Sequence, residues 1–267
     1  MENRRIGIYD SGIGGLTALK RLRTLLPGED FVFFADSGRL PYGGRSAQEL
    51  CRIARQDMDL LAGYGVTGIL AACGTISSAA HEELANYPIP AFGVVYPALE
   101  EMARWPGRGP LGVIATEASI RSGEFTDALQ RRCPGREVIG LACPEFAPTI
   151  EAGHISPEDP VLRDAVARAL APLRGVKLDA LLLGCTHFGI IEAAIRACLG
   201  AEIPLVSASD CGAQALCRAL GDGRGEGAGS VRFLISCDPA AFDAFAGQYL
   251  EMDVHAERVP VMELETP

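Results

Sequence analysis

The sequence predicts an α/β protein made of two doubly wound domains with mainly parallel sheets. Three observations carry that expectation. Short apolar runs alternate with amphipathic ones along all 267 residues. The strand-type runs, such as RIGIYD, FVFFAD and DALLLGC, are apolar continuously rather than alternately, as in strands covered on both faces. The strand–helix series also pauses at EEMARWPGRGP and then starts again. The expected domains are residues 1–97 with 208–267 returning to them, and residues 98–207, with an active-site cleft between the two.

In chain order, RIGIYD reads as a buried strand. LTALKRLRTLL follows with apolar residues at helical spacing. FVFFAD is a second strand, and SGRLPYGGRS, with Pro41, Gly43 and Gly44, is a loop. AQELCRIARQDMDLLAGYG is a long helix closed by glycine. GILAAC is a strand, SSAAHEELANY a helix, and AFGVVYP a strand. The second series runs LGVIAT, SGEFTDALQRRC, REVIGLAC, PVLRDAVARALAPLRG, DALLLGC, FGIIEAAIRACLG, PLVSAS and CGAQALCRALG, strand and helix by turns. DGRGEGAGS reads as a surface loop. VRFLIS and VHAERVPV read as closing strands around the helix PAAFDAFAGQYL.

Composition narrows the function classes. A formal net charge of −10 argues against nucleic-acid binding, which needs clustered Lys and Arg. No apolar stretch approaches the ~20 residues that span a bilayer, and the N-terminus carries no secretory pattern, so neither membrane nor export is expected. Nine cysteines without CxxC spacing fit a reducing cytoplasm better than a disulfide framework.

Ligands of open α/β sheets bind at the carboxyl ends of the strands. Those positions hold Asp10-Ser11, Asp36-Ser37 with Pro41-Tyr42-Gly43, Cys73-Gly74-Thr75, Thr116 to Ser119, Cys143-Pro144-Glu145 and Cys185-Thr186-His187. Hydroxyls, glycines, carboxylates and thiols dominate, with no Lys or Arg. That set suits a small acid or zwitterion held by backbone amides and hydroxyls.

Cys73 and Cys185 stand out. Each closes a strand, precedes a helix and has a threonine close behind. A helix N-terminus favours the thiolate. One thiol from each domain would address opposite faces of one carbon, the arrangement that racemisation without a cofactor requires. Either cysteine alone reads more simply as a core residue; the matched pair favours chemistry. His187, two residues after Cys185, is either a capping or core histidine or an acid/base partner that tunes the thiol. Asp10 opens DSGIGGLT, where Thr17 replaces the third glycine of a dinucleotide loop. The stretch is either a tight turn or a cleft segment placing Asp10 near Cys73 and Ser11 on substrate. Cys185 and His187 are too few for a metal site. Lys20 and Lys177, the two lysines, sit in a surface-type helix and a turn, which disfavours a pyridoxal-phosphate Schiff base. No cofactor and no metal are expected.

DSGIGGLT, FADSGRLPYGGRS, AACGT, GVIAT with Ser119 and Ser122, CPEFAPTIEAG and LGCTH, in this order and spacing, resemble the cofactor-independent aspartate/glutamate racemase superfamily, its glutamate racemases in particular, over nearly the whole length. The resemblance implies two pseudo-symmetric α/β domains around a cleft, frequent homodimers, and cytosolic production of D-glutamate for peptidoglycan. By position it implies that Cys73 and Cys185 are the acid/base pair and that Asp10, Glu151 and His187 assist them. It also implies that Ser11, Pro41, Tyr42, Gly43, Gly74, Thr75, Ser119 and Thr186 meet the amino-acid substrate. The sequence departs from the pattern at Gly74, where the family usually has a substrate-holding asparagine. A racemase for another amino acid, and a binding or regulatory relative with weak turnover, are the alternatives.

Overall fold

The computed structural model describes residues 4–221, 225 and 227–264. Among them ten strands form two sheets: β1 Arg5–Asp10, β2 Asp30–Ala35, β3 Gly68–Ala71, β4 Ala91–Gly93, β5 Leu111–Ala115, β6 Val138–Ala142, β7 Ala180–Leu183, β8 Leu205–Ser207, β9 Val231–Ile235 and β10 Glu257–Arg258. The first sheet has the order β10-β9-β2-β1-β3-β4 and the second β6-β5-β7-β8. Every pairing is parallel. The chain divides into two compact units. One runs to Val94 and resumes at Gly212; the other is Val95–Cys211.

Burial follows from the parallel arrangement. Ile6, Ile8, Tyr9, Phe33 and Phe34 in the first sheet, and Val113, Ile114, Leu181 and Leu182 in the second, are closed to solvent. Successive side chains of a strand point to opposite faces, so unbroken apolar runs mean helices on both faces. The helix Ala47–Gly63 lays Leu50, Ile53, Ala54, Met58 and Leu61 on the first sheet. It starts sharply because Ser46 and Glu49 form a capping box: the Glu49 amide donates to Ser46 Oγ, and the Ser46 amide donates to the Glu49 carboxylate, each at 3.2 Å.

Several elements differ from the sequence expectation. The strand expected over residues 91–97 ends at Gly93, and Val95–Arg104 is helical. Pro97 falls in its first turn, where a missing N–H removes no helical bond. The helix expected from 77 begins at Gly74, so Cys73 is its N-cap residue. Cys185 leads into a 3₁₀ turn, Thr186–Gly189, rather than an α-helix. The closing strand expected over 254–261 shrinks to β10. Of the loop expected over 222–230, residues 222–224 and 226 lie outside the described residues.

The strand orders place the functional positions. In each sheet the chain lays a second strand on one side of the first and a third on the other, so the loops leaving the first and third strands diverge. A crevice opens at that switch point. The loops concerned follow β1 and β3 in one unit and β5 and β7 in the other. They carry Asp10-Ser11 with Cys73, and Thr116 to Ser119 with Cys185.

Candidate active-site elements

In the first unit, Asp10 ends β1 and is fully buried. Its Oδ1 accepts from the Gly12 amide at 2.8 Å and lies 3.5 Å from the Ser11 hydroxyl. The ladder continues one step past β3, with the Ala72 amide donating to the Tyr9 carbonyl at 2.8 Å, which sets Ala72 opposite Asp10 and Cys73 one residue beyond it. The glycine run after Asp10 folds as a 3₁₀ turn over Ile13–Gly15. A Cβ on Gly15 would stand 2.6 Å from the Asp10 Cβ and 3.1 Å from the Phe33 ring. Glycine is therefore required here by close approach. Thr17, in place of a third glycine, donates its hydroxyl to the Gly14 carbonyl at 2.8 Å.

Cys73 is 7 % exposed. Burial, and after it the Asp10 carboxylate, push its thiol up to about 12. The Ile76 and Thr75 amides and the Ser11 hydroxyl favour the thiolate but do not offset that rise. The helix start was expected to lower this thiol; desolvation overrides it. Gly74 and Thr75, the first two helical residues, are half-buried.

In the second unit, Cys185 follows β7, and the Gly184 amide continues the ladder to the Ile114 carbonyl at 2.8 Å. Cys185 Sγ lies 3.8 Å from His187 Nδ1, and His187 Nε2 lies 3.1 Å from Glu151 Oε1. The 3₁₀ turn makes the first contact, because it folds residues 185 and 187 toward one another. Glu151 arrives at the end of the helix Phe146–Glu151. The hydrogen bond from His187, aided by its charge, holds the Glu151 carboxyl below the usual range against the pull of burial. His187 and Thr186 are buried, while Cys185 is half-buried. Ser119 is buried beside the cap of the helix Glu117–Arg121, its hydroxyl accepting from Thr116 Oγ1 at 3.1 Å. Cys143, one of the carboxyl-end positions but given no role in the expected site, is 1 % exposed; burial and then Cys185 push its thiol up to about 12.

The loop after β2 behaves differently from its expectation in one respect. Pro41 and Gly43 are exposed, but the Tyr42 ring is buried, and its hydroxyl donates to Asp36 Oδ2. Arg39 donates its Nε to the same oxygen at 2.6 Å, its Nη1 to Gln56 at 2.6 Å, and its Nη2 to Asp57. The Tyr42 ring and hydroxyl are therefore taken up inside the loop. Nothing in the sequence marks Arg39 and Asp57 as partners; the pairing emerges only when the loop folds over the helix Ala47–Gly63.

Among the described residues no three His, Cys, Asp or Glu side chains converge as metal ligands, and no helix is long and apolar enough to cross a membrane. The α/β protein thus carries a thiol beside a buried carboxylate in one unit and a thiol–imidazole–carboxylate series in the other. The Asp/Glu/Hydantoin racemase family model matches residues 34–216. The glutamate racemase of Gloeobacter violaceus is 36% identical over 248 residues, 92% of this chain and 92% of its own length. Among solved structures, glutamate racemase from Thermus thermophilus, in complex with beta-chloro-D-alanine, gives a TM-score of 0.83 at 37% identity, covering 98% of both chains. That of Francisella tularensis, in complex with D-glutamate, gives 0.83 at 30%, covering 99% of both. The chain belongs to the Asp/Glu/hydantoin racemase family, a family of isomerases.

Proposed function

We propose that the protein is a glutamate racemase that interconverts L- and D-glutamate with Cys73 and Cys185 as its two acid/base groups. The observation that carries this is the matched placement of the thiols: each follows the third strand laid down in its sheet, at the switch point, and each has its own carboxylate support. The near full-length similarity to glutamate racemases, one of them solved with D-glutamate, supports the substrate.

The chemistry is two proton transfers. A thiolate takes the α-proton, breaking C–H and forming S–H. The resulting carbanion then takes a proton from the other thiol on its opposite face. Cys73, whose burial keeps its proton on, is the donor for L-glutamate, and Cys185 is the base. His187 orients Cys185 and lies within reach of its proton, and Glu151 fixes the imidazole. After one turnover the protonation states are exchanged, which is the state that accepts D-glutamate. Ser11, Thr75, Ser119 and Thr186 supply hydroxyls to the substrate, Gly74 a backbone contact, and Pro41 to Gly43 the loop. The family resemblance supports a homodimer that supplies D-glutamate for peptidoglycan. The nine free cysteines favour a reducing cytoplasm.

A second reading, a racemase for another amino acid, is favoured by Gly74, which brings no side chain to the position beside Cys73. Deuterium uptake at the α-carbon and loss of optical activity, followed for both enantiomers of glutamate, aspartate and neutral amino acids, separates the two. Exchange with others but not glutamate leaves only the second reading; exchange with none sinks both. Cys73→Ser and Cys185→Ser should each lower racemisation by about 10²–10⁴-fold. A variant with full activity would refute the two-thiol mechanism.

A further inference from the structure

We propose that Arg39 and Arg45 are positioning residues that hold the loop after β2 as a seat for a substrate carboxylate, without themselves touching it. The proposal rests on the reading above that this loop meets substrate. Arg45 works from outside. Its Nη2 donates to the Arg39 carbonyl at 2.8 Å and its Nε to the Pro41 carbonyl at 3.2 Å. Its own amide donates to the Tyr42 carbonyl, also at 3.2 Å. In a trans peptide the C=O and the following N–H point in opposite directions. Leu40-Pro41 is the cis bond described; the next two peptides are trans. Capturing the carbonyls of residues 41 and 42 on the Arg45 side therefore turns the amides of Tyr42 and Gly43 to the opposite side. Neither amide donates to a protein acceptor among the described residues. Two successive N–H groups turned to one side of a loop suit an anion.

Arg39 works from inside. Its fork spans Asp36, at the end of β2, and Asp57, on the helix Ala47–Gly63. Asp36 also accepts the Tyr42 hydroxyl, so the residue bearing the first amide is tied to sheet and helix together. All four side chains are nearly closed to solvent. A loop with two exposed glycines would otherwise sample many conformations.

Removing Arg39 would strand two buried carboxylates, so the inner tie is better cut by Tyr42→Phe, which leaves every charge in place. The outer tie is cut by Arg45→Gln. In the full-length protein, Arg45→Gln should raise KM for both glutamate enantiomers about tenfold, and Tyr42→Phe about threefold, with kcat within about twofold. Thermal melting, followed in parallel, should report both variants folded. Calorimetric binding of glutarate, a dicarboxylate that cannot turn over, should weaken by the same factors. Should glutamate show no exchange in the unmodified protein while glutarate binds and both variants weaken it, the racemase reading falls and the loop assignment stands. The proposal is overturned if either folded variant keeps KM and the glutarate Kd within about twofold, if kcat falls instead of KM rising, or if glutarate does not bind the unmodified protein.

Discussion

The most quantitative consequence of the structure concerns Cys73 at alkaline pH. In the folded chain its thiol is pushed up to about 12; free of the fold its ordinary value is 9.0. A group whose pKa is raised by folding contributes stability that is complete below the unfolded value and is lost as pH rises toward the folded one. The unfolded chain ionises Cys73 first and is favoured by doing so. At about pH 10.5, roughly 1.5 units above the unfolded value, the loss is about 2 kcal/mol at 1.36 kcal/mol per unit. Cys73→Ser removes the titration. The fall in unfolding free energy between about pH 8 and pH 10.5 should then be smaller by about 2 kcal/mol in the variant, whatever its stability at pH 8. Urea unfolding at the two pH values, with a reductant present, measures both differences. Equal falls in the two proteins would show that Cys73 ionises as easily in the fold as outside it. The burial argument, and with it the assignment of Cys73 as the resting proton donor, would then be wrong.

Two further outcomes follow from the same geometry. Gly15→Ala would drive a methyl group into the Asp10 side chain, where only 2.6 Å is available. We expect a loss of about 1–3 kcal/mol in thermal or urea unfolding, and a fall in racemisation larger than the loss of folded protein explains. Normal activity and stability would show that Asp10 does not need its place. Glu151→Gln keeps a hydrogen bond to His187 but removes the charge at 3.1 Å. Glu151 is 47% exposed on its side chain, so solvent screens the effect to about 1 kcal/mol, a roughly fivefold drop in kcat at little change in KM. A hundredfold drop, or none, in steady-state rates would show that this carboxylate does something other than orient the imidazole.

The sheets and both thiols were legible because their signals are local. A run such as FVFFA, short and rich in aromatic and β-branched residues, favours a strand buried on both faces, and the residue after such a strand lands at the carboxyl edge wherever the strand sits in the sheet. His187 was legible by being two residues from Cys185. Glu151 was not visible to pattern; its place came only from resemblance to a known motif, because the contact with His187 spans 36 positions. Residues 91–97 misled, since Val94, Val95 and Tyr96 have strand preferences and the packing of the helix Val95–Arg104 overrides them. Asp57 lies on the helix Ala47–Gly63, and its helical spacing does not mark it for burial. It is wholly buried because Arg39, eighteen positions earlier, reaches it. Tyr42 was expected at the substrate, but its ring turns inward to meet Asp36. Interactions of this kind depend on how a loop folds over a helix, and no spacing rule encodes that.

The repeated strand order has a consequence for stereochemistry. Both sheets lay their first three strands in the same order and the same parallel sense, and crossovers between parallel strands of L-peptides are right-handed, so the two units share one handedness. The enantiomers of an amino acid do not; they are mirror images, and no pair of L-peptide folds can mirror one another. A racemase built from two such units therefore greets its two substrates with unlike surroundings. Its turnover numbers and Michaelis constants should differ between the two directions. Because enantiomers are equal in free energy, the equilibrium constant is one, and the ratio kcat/KM must nonetheless be identical both ways. Any tighter grip on one enantiomer is matched by slower turnover of that enantiomer.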